Sequence, residues 1–145
     1  MHLRILVVSQ YFWPENFRIN DLVQGWVQRG HQVTVLTGAP NYPAGKVFDI
    51  YRNDPAAFSN YEGARVLRVP MLPRGTGSAR LLLNYLSFVV GATFWGPWRL
   101  RNTEADVIFV FEPSPVTVGL PAVLFGKLKR APVVFWALDL WPETL

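Results

Sequence analysis

The chain contains no cysteine and only two histidines, His2 and His31. Without thiols it forms no disulfide bond, no thiolate metal site and no cysteine nucleophile, and two histidines are too few for a metal site built from histidine. We therefore expect no bound metal. The lack of cysteine agrees with a reducing cytoplasm, and the apolar run at residues 5–8 has neither the length nor the cleavage site of a signal peptide.

Glycine is missing from residues 11–18, the loop that follows the first predicted strand. An NAD-type site requires a glycine-rich loop at that point, and a Walker loop requires a Gly-Lys-Ser/Thr sequence that occurs nowhere in the chain. The sequence therefore indicates no cofactor. An α/β enzyme of another kind, such as an epimerase, would need a cofactor fingerprint that is absent.

Acidic residues are missing from residues 63–103, a segment that contains six arginines. The net charge of +4 is too small to indicate a nucleic-acid partner. The concentration of arginine in one segment favours phosphates or anionic lipid headgroups as partners. A solvated basic face without a partner explains the same pattern.

The residues that are present describe a single α/β domain. Half of the 145 residues are hydrophobic, enough for a substantial core. We predict a Rossmann-like, doubly wound and mainly parallel sheet with strand order 3-2-1-4-5, and a long loop at residues 37–62. The predicted strands are residues 3–8, 31–36, 65–69, 106–111 and 132–136, and the predicted helices are one begun by Asn16 and ended by Gly30, then residues 78–100 and 116–129.

The second predicted helix has no charge between Leu81 and Trp98 and is apolar on all sides. Since the sheet covers only one side of a helix, another helix, a partner subunit or a membrane surface must cover the other side. Polar residues within the run argue against a membrane span. For the membrane-surface alternative, the predicted contacts are Leu82, Phe88 and Trp95, with Arg99 and Arg101 at the headgroups.

Polar and aromatic side chains follow the predicted strands at the edge where α/β sheets bind ligands. In the first loop, side chains suited to a sugar or an anion alternate with flat aromatic rings. Helix capping and core packing are the alternative explanation for these residues. The candidates are Tyr11, Trp13, Glu15, Asn16 and Arg18.

Further candidates follow the fourth and fifth strands. Glu112 and Ser114 come after the fourth, and Asp139, Trp141 and Glu143 come after the fifth. If Glu15, Glu112 and Asp139 converge, they can supply a general base or bind sugar hydroxyls. Asp139 is the candidate for a catalytic role, because it follows a central type of strand.

Four sequence segments resemble the N-terminal half of family 4 glycosyltransferases, nearest to bacterial enzymes of O-antigen, capsule and colanic-acid synthesis. The most specific are Tyr-Phe-Trp-Pro-Glu at residues 11–15, Asn41-Tyr42-Pro43 and Asp-Leu-Trp-Pro-Glu-Thr at residues 139–144. The fourth, Arg-Gly-His-Gln-Val-Thr-Val-Leu-Thr at residues 29–37, is common to many nucleotide-sugar transferases.

The resemblance implies a GT-B enzyme that retains the stereochemistry of the transferred sugar and needs no metal. Residues 1–145 would be its N-terminal, acceptor-binding domain, with Asn41 and Tyr42 among the substrate contacts. The C-terminal domain, which binds the nucleotide-sugar donor, would be absent, so this piece would be inactive alone. A saccharide or a polyprenyl-diphosphate-linked sugar would be the acceptor, at the inner face of the cytoplasmic membrane.

The chain departs from the family pattern at two points. Many relatives carry a histidine after the fifth strand, where this sequence reads Trp136-Ala-Leu-Asp139, and the usual glycine pair of the first loop is replaced by Glu15-Asn16-Phe17. The alternative function is a non-catalytic, membrane-docking subunit of a transferase complex.

Overall fold

The computed structural model describes residues 1–112 and 116–138, with the side chains of Glu112 and Val116 excepted. Helices and strands alternate along most of the chain. The strands are β1 (Arg4–Val8), β2 (Gln32–Thr37), β3 (Asn60–Tyr61), β4 (Ala64–Arg68), β5 (Val107–Glu112) and β6 (Val133–Ala137). The helices are α1 (Arg18–Gln28), α2 (Asp49–Asn53), α3 (Ser78–Arg99) and α4 (Gly119–Lys129), with 3-10 turns at Pro55–Phe58 and Val116–Val118.

The strands form one sheet in the order β3-β4-β2-β1-β5-β6. The five longer strands are parallel, and of the strands in the described residues only β3 runs antiparallel to its neighbour. Without β3, the order is the predicted 3-2-1-4-5. The prediction of a doubly wound, mainly parallel sheet is therefore confirmed.

The central strand β1 is apolar on both faces because helices cover both sides of the sheet. Ile5 and Val7 belong to a core layer that includes Ile19 of α1. Leu6 and Val8 belong to the opposite layer, which includes Phe88 of α3 and residues of α4. The carboxyl edge of the parallel strands is consequently left open between the layers.

The end of α1 follows the prediction, but its beginning does not. Gly30 takes a positive φ of 91° directly after the helix, as a terminating glycine does. The helix begins at Arg18 after Phe17, however, and no side chain caps it, so the predicted Asn16 cap is wrong. Asn20 organises the preceding loop instead: its side chain accepts the N–H of Trp13 and donates to the carbonyl of Glu15.

Residues 37–62, predicted as a loop, contain α2, a 3-10 turn and β3. Strand β3 forms a short hairpin with β4, in which Tyr61 pairs with Ala64. Glu62 and Gly63 connect the strands, both with positive φ, as a two-residue hairpin turn of the I′ type requires. This hairpin covers only the first part of β4.

Helix α3 has one buried face and one uncovered apolar face. Phe88, predicted as a membrane contact, is fully buried against the sheet, so that prediction is wrong. Leu82 and Trp95 are exposed, as that prediction requires, and Arg101 lies with its guanidinium over the Trp98 ring. Among the described residues, no helix is both long and apolar enough to cross a bilayer.

Candidate functional site

The site is built on the loops that leave β1, β2 and β4 at the carboxyl edge of the sheet, and Glu15 ties two of them together. Its carboxylate accepts the backbone N–H groups of Phe12 at 3.2 Å, Asn41 at 3.0 Å and Tyr42 at 2.8 Å. Only 1% of the residue is exposed. Burial raises the pKa of Glu15 to about 7, and the three N–H groups oppose this shift.

Arg68, at the end of β4, makes the second tie. Its guanidinium donates to the carbonyl oxygens of Gly38 at 2.7 Å and Trp13 at 2.5 Å, and it lies over the Tyr51 ring. Burial lowers the pKa of Arg68 to about 10, which leaves it charged at neutral pH. The loops after β1 and β2 are therefore held by one buried carboxylate and one half-buried guanidinium.

Asn41 connects the loop after β2 to the loop after β4. Its side chain donates to the carbonyl of Ala39 and accepts the backbone N–H of Arg74 at 2.8 Å. A similar polar link joins α3 to the first loop, because buried Asn84 accepts a hydrogen bond from Gln10 at 2.7 Å. These contacts place Arg74 beside the aromatic side chains of the other loops.

Three aromatic rings form a cluster at this edge. Tyr11 stacks on Phe17 with 4.9 Å between ring centroids, and Tyr42 is tilted against both rings. The Arg74 guanidinium lies 5.2 Å from the centroid of Tyr42, and its Nη1 donates to the Tyr11 hydroxyl at 3.5 Å. Phe17, Tyr42 and Arg74 are half-buried, so each keeps part of its surface open to a ligand.

We call Phe17, Tyr42 and Arg74 the edge platform. An aromatic ring offers a flat apolar surface for the C–H face of a sugar. A guanidinium offers paired N–H donors for a phosphate or carboxylate. The edge platform therefore combines the two groups needed to hold a sugar linked to an anion.

The structure corrects the expected direct substrate contacts of three residues. Glu15 and Asn41 are buried and hydrogen-bonded to neighbouring loops, and Tyr11 is 3% exposed. They position the site, because the loops fold back over them. Among the other predicted contacts, Trp13 and Tyr42 are half-buried, and Asn16 and Arg18 are exposed.

The predicted convergence of three carboxylates stays a prediction. Glu15 is at the expected edge, and β5 ends at Glu112 beside β1. The other predicted site residues lie outside the described part of the chain. These are Ser114, Asp139, Trp141, Glu143 and the side chain of Glu112.

Sequence reasoning missed Phe17, Arg68 and Arg74. The two arginines belong to a segment with six, and the sequence gives no reason to select these two. Arg68 ends a strand, which places it at the ligand-binding edge and was an available signal. Nothing in the sequence places Arg74 beside Tyr42.

A family model described as a glycosyl transferase 4-like domain matches residues 16–145. No curated protein matches the chain. The matched range begins near the end of the first loop, at Asn16, and includes the loops after β2 and β4.

Two solved glycosyltransferases have a similar fold. The glycotransferase of kitacinnamycin is 18% identical, with 93% of this chain and 30% of that chain covered and a TM-score of 0.62. The calicheamicin glycosyltransferase is 17% identical, with 92% and 32% covered and a TM-score of 0.60. This chain thus spans about a third of the length of each.

The same fold occurs outside the glycosyltransferases. A C-terminal domain of a hydrogenase from Pyrococcus furiosus is 17% identical, with 91% of this chain and 89% of that domain covered and a TM-score of 0.60. Since one fold serves unrelated activities, function must be argued from the family and the site rather than from the fold.

Proposed function

This chain belongs to the glycosyl transferase 4-like family, and on that premise we propose that it is the acceptor-binding half of a nucleotide-sugar-dependent glycosyltransferase. The single N-terminal domain, residues 1–145, would work with a donor-binding C-terminal domain. The proposed reaction retains the configuration of the sugar and needs no metal. The proposed setting is bacterial cell-surface polysaccharide synthesis.

The edge platform is the observation that carries this proposal. It presents two aromatic rings and one guanidinium at the carboxyl edge of a parallel sheet, where α/β folds bind ligands. An acceptor that joins a sugar to a diphosphate matches both groups. The buried Glu15 and the half-buried Arg68 hold the platform loops, so the site is formed before the acceptor arrives.

We propose that the reaction takes place at the carboxyl ends of β5 and β6, which follow β1 in the order of the sheet. Asp139 is proposed to act on the reacting hydroxyl, by accepting its proton or orienting it. Glu112, Ser114, Trp141 and Glu143 are proposed to contact the substrates at the same edge. Trp13, Asn16 and Arg18 would extend the site along the first loop.

A lipid-linked acceptor is supported by the uncovered face of α3. Six apolar side chains lie along one side of this helix, over a length of about 24 Å at 1.5 Å per residue. All six are between 47% and 72% exposed. They are Leu82, Leu83, Leu86, Val90, Phe94 and Trp98, and we call this side of the helix the α3 face.

Arginines lie at both ends of the α3 face. Arg80 and Arg101 are exposed, and Arg101 stacks on Trp98. Apolar side chains bordered by tryptophan and arginine suit the surface of an anionic bilayer. We therefore propose that the protein works peripherally at the inner face of the cytoplasmic membrane.

The test is an assay of the full-length protein, extended past Leu145, with UDP- and GDP-sugars and a polyprenyl-diphosphate-linked acceptor. We expect transfer from one donor class, with the anomeric configuration retained and activity insensitive to a chelator. Asp139→Asn should lower kcat by about 100-fold or more while the thermal melting curve is unchanged. Full activity in that variant would remove Asp139 from the reaction.

The α3 face also favours a second candidate, a non-catalytic subunit that docks a separate transferase on the membrane. The same assay separates the two. Absence of transfer by the full-length protein alone, with transfer restored by a partner chain, would support the docking subunit and contradict the first proposal.

A further inference from the structure

A groove of about 410 Å³ lies beside the outer edge of β4, away from the edge platform. The hairpin strand β3 pairs with β4 only at Ala64 and Arg65. In the described part of the chain, no strand therefore lies along the outer edge of the rest of β4. The segment that contains α2 forms one wall, and the end of α3 forms the other. This volume lies within the range of about 300–1,000 Å³ typical of small-molecule sites.

Aromatic rings stand on both walls of the groove. Tyr51 and Phe58 belong to the α2 side, and Trp95 and Trp98 to the α3 side. The two indoles are about half exposed, at 49% and 57%. Such walls suit a flat ring with one apolar face, because the contact removes carbon surface from water on both partners.

Two arginines, Arg68 and Arg99, also line the groove. Their Nε atoms are buried, and no hydrogen-bond partner for either lies within residues 1–112 and 116–138. No acidic residue is among the described residues that line the groove. Arg68 already donates to two carbonyl oxygens and interacts with the charge of Glu15. Arg99 has no acidic neighbour in the described lining of the groove, so a bound anion would chiefly stabilise the Arg99 guanidinium.

We propose that this groove binds a sugar that carries a carboxylate or a phosphate. The sugar ring lies against the indole of Trp95, and the acidic group lies against the guanidinium group of Arg99. The choice of a sugar rests on the proposed function. The groove would thus bind an acidic sugar residue of the acceptor saccharide, at a place separate from the edge platform.

The experiment measures binding without transfer, so it fails or succeeds independently of the catalytic proposal. The full chain is labelled with 5-fluorotryptophan, and each of its six tryptophan signals is assigned by a Trp→Phe variant. Glucuronic acid, glucose 6-phosphate, glucose and inorganic phosphate are titrated in turn. We expect the two acidic sugars to shift the signals of Trp95 and Trp98 and to bind at least about tenfold more tightly than glucose or phosphate.

Matched variants identify the groups responsible. Arg99→Gln and Trp95→Ala should each weaken binding of the acidic sugars by about tenfold or more. Arg52→Gln, an exposed arginine of α2 outside the groove, and Phe94→Ala, the neighbouring aromatic on the α3 face, should leave binding unchanged. Thermal melting of each variant establishes that it is folded.

Three results would overturn the proposal. Equal shifts with glucose would remove the need for an acidic group, and equal affinity for inorganic phosphate would reduce the groove to a simple anion site. Loss of binding in the Arg52 or Phe94 variant, with both proteins folded, would place the sugar elsewhere. A stronger response to glucuronic acid or to glucose 6-phosphate identifies the acidic group as a carboxylate or a phosphate.

Discussion

The carboxylate of Glu15 accepts the backbone N–H of Tyr42 at 2.8 Å, so an acidic side chain of the first loop sets the position of an aromatic side chain in the second. The two residues are 27 positions apart in sequence. An acidic residue that looked like a ligand contact is a structural part of the candidate site, and we expect it to affect a ligand only through the position of Tyr42.

Glu15 should make the stability of the protein depend on pH. Its pKa rises from 4.5 to about 7 on folding, because burial outweighs the three hydrogen bonds. Between these values the folded protein keeps a proton that the unfolded chain loses. The free energy of unfolding should therefore fall as pH increases across this window, by up to about 1.4 kcal/mol per pH unit, and level off above it.

Urea denaturation of the native protein and of Glu15→Gln, measured from pH 4 to about pH 8 in small steps, checks this prediction. Every other titratable group is common to the two proteins, so their difference reports Glu15 alone. Parallel stability curves would mean that the buried carboxyl has the same proton affinity in both states.

Gly91 should be required for the packing of α3. A Cβ atom at this position would lie 2.1 Å from the carbonyl oxygen of Pro70, which belongs to the backbone and cannot easily move. Gly91→Ala should lower the free energy of unfolding by about 1–3 kcal/mol. Gly25→Ala in α1 is the control, since there a Cβ meets only the flexible end of Arg29 and alanine should stabilise the helix by about 0.5–1 kcal/mol. Equal effects at the two glycines in chemical denaturation would refute the close approach.

Arg74 should determine the affinity for an anionic acceptor. Arg74→Gln removes the charge over Tyr42 and should reduce kcat/KM of the full-length enzyme by about 10- to 100-fold with a diphosphate-linked acceptor. The effect should fall mainly on KM, because Arg74 is proposed to hold the acceptor's diphosphate and not to act on the reacting hydroxyl. Arg29→Gln, at an exposed arginine whose guanidinium donates to the Gly25 carbonyl of α1, is the matched control. An Arg74 variant with normal KM would show that the edge platform does not hold the acceptor.

The α3 face should bind anionic membranes. Replacing Leu86 and Phe94 together by serine removes two exposed apolar side chains and should weaken binding to phosphatidylglycerol vesicles by at least about tenfold. Leu128→Ser, at an exposed leucine of α4, should not change it. Flotation at low and high salt measures both effects, and vesicle binding that survives the double substitution would assign the α3 face to a protein partner.

The class of the sheet and the order of its strands were predictable from the sequence, because the apolar residues of each strand and helix show which of its faces are buried. The unbroken apolar run of β1 indicates helices on both faces, and the alternation of strands and helices indicates parallel pairing. Gly30 marks the end of α1 because only a positive φ continues the chain there. By contrast, the β3–β4 hairpin is too short to give a periodic signal, and its turn contains Glu62 rather than a typical turn residue.

The sequence by itself determined the architecture and the family, and it singled out the edge of the sheet that we propose as the ligand-binding edge. Only the tertiary structure decided which side chains at that edge remain accessible. It buried Glu15 and Asn41, left Tyr42 and Arg74 partly open, and turned Phe88 towards the sheet while Phe94 points away. The reason is physical. The apolar pattern that predicts a strand or a helix lies within a few neighbouring residues, whereas the exposure of a loop side chain depends on hydrogen bonds to residues tens of positions away.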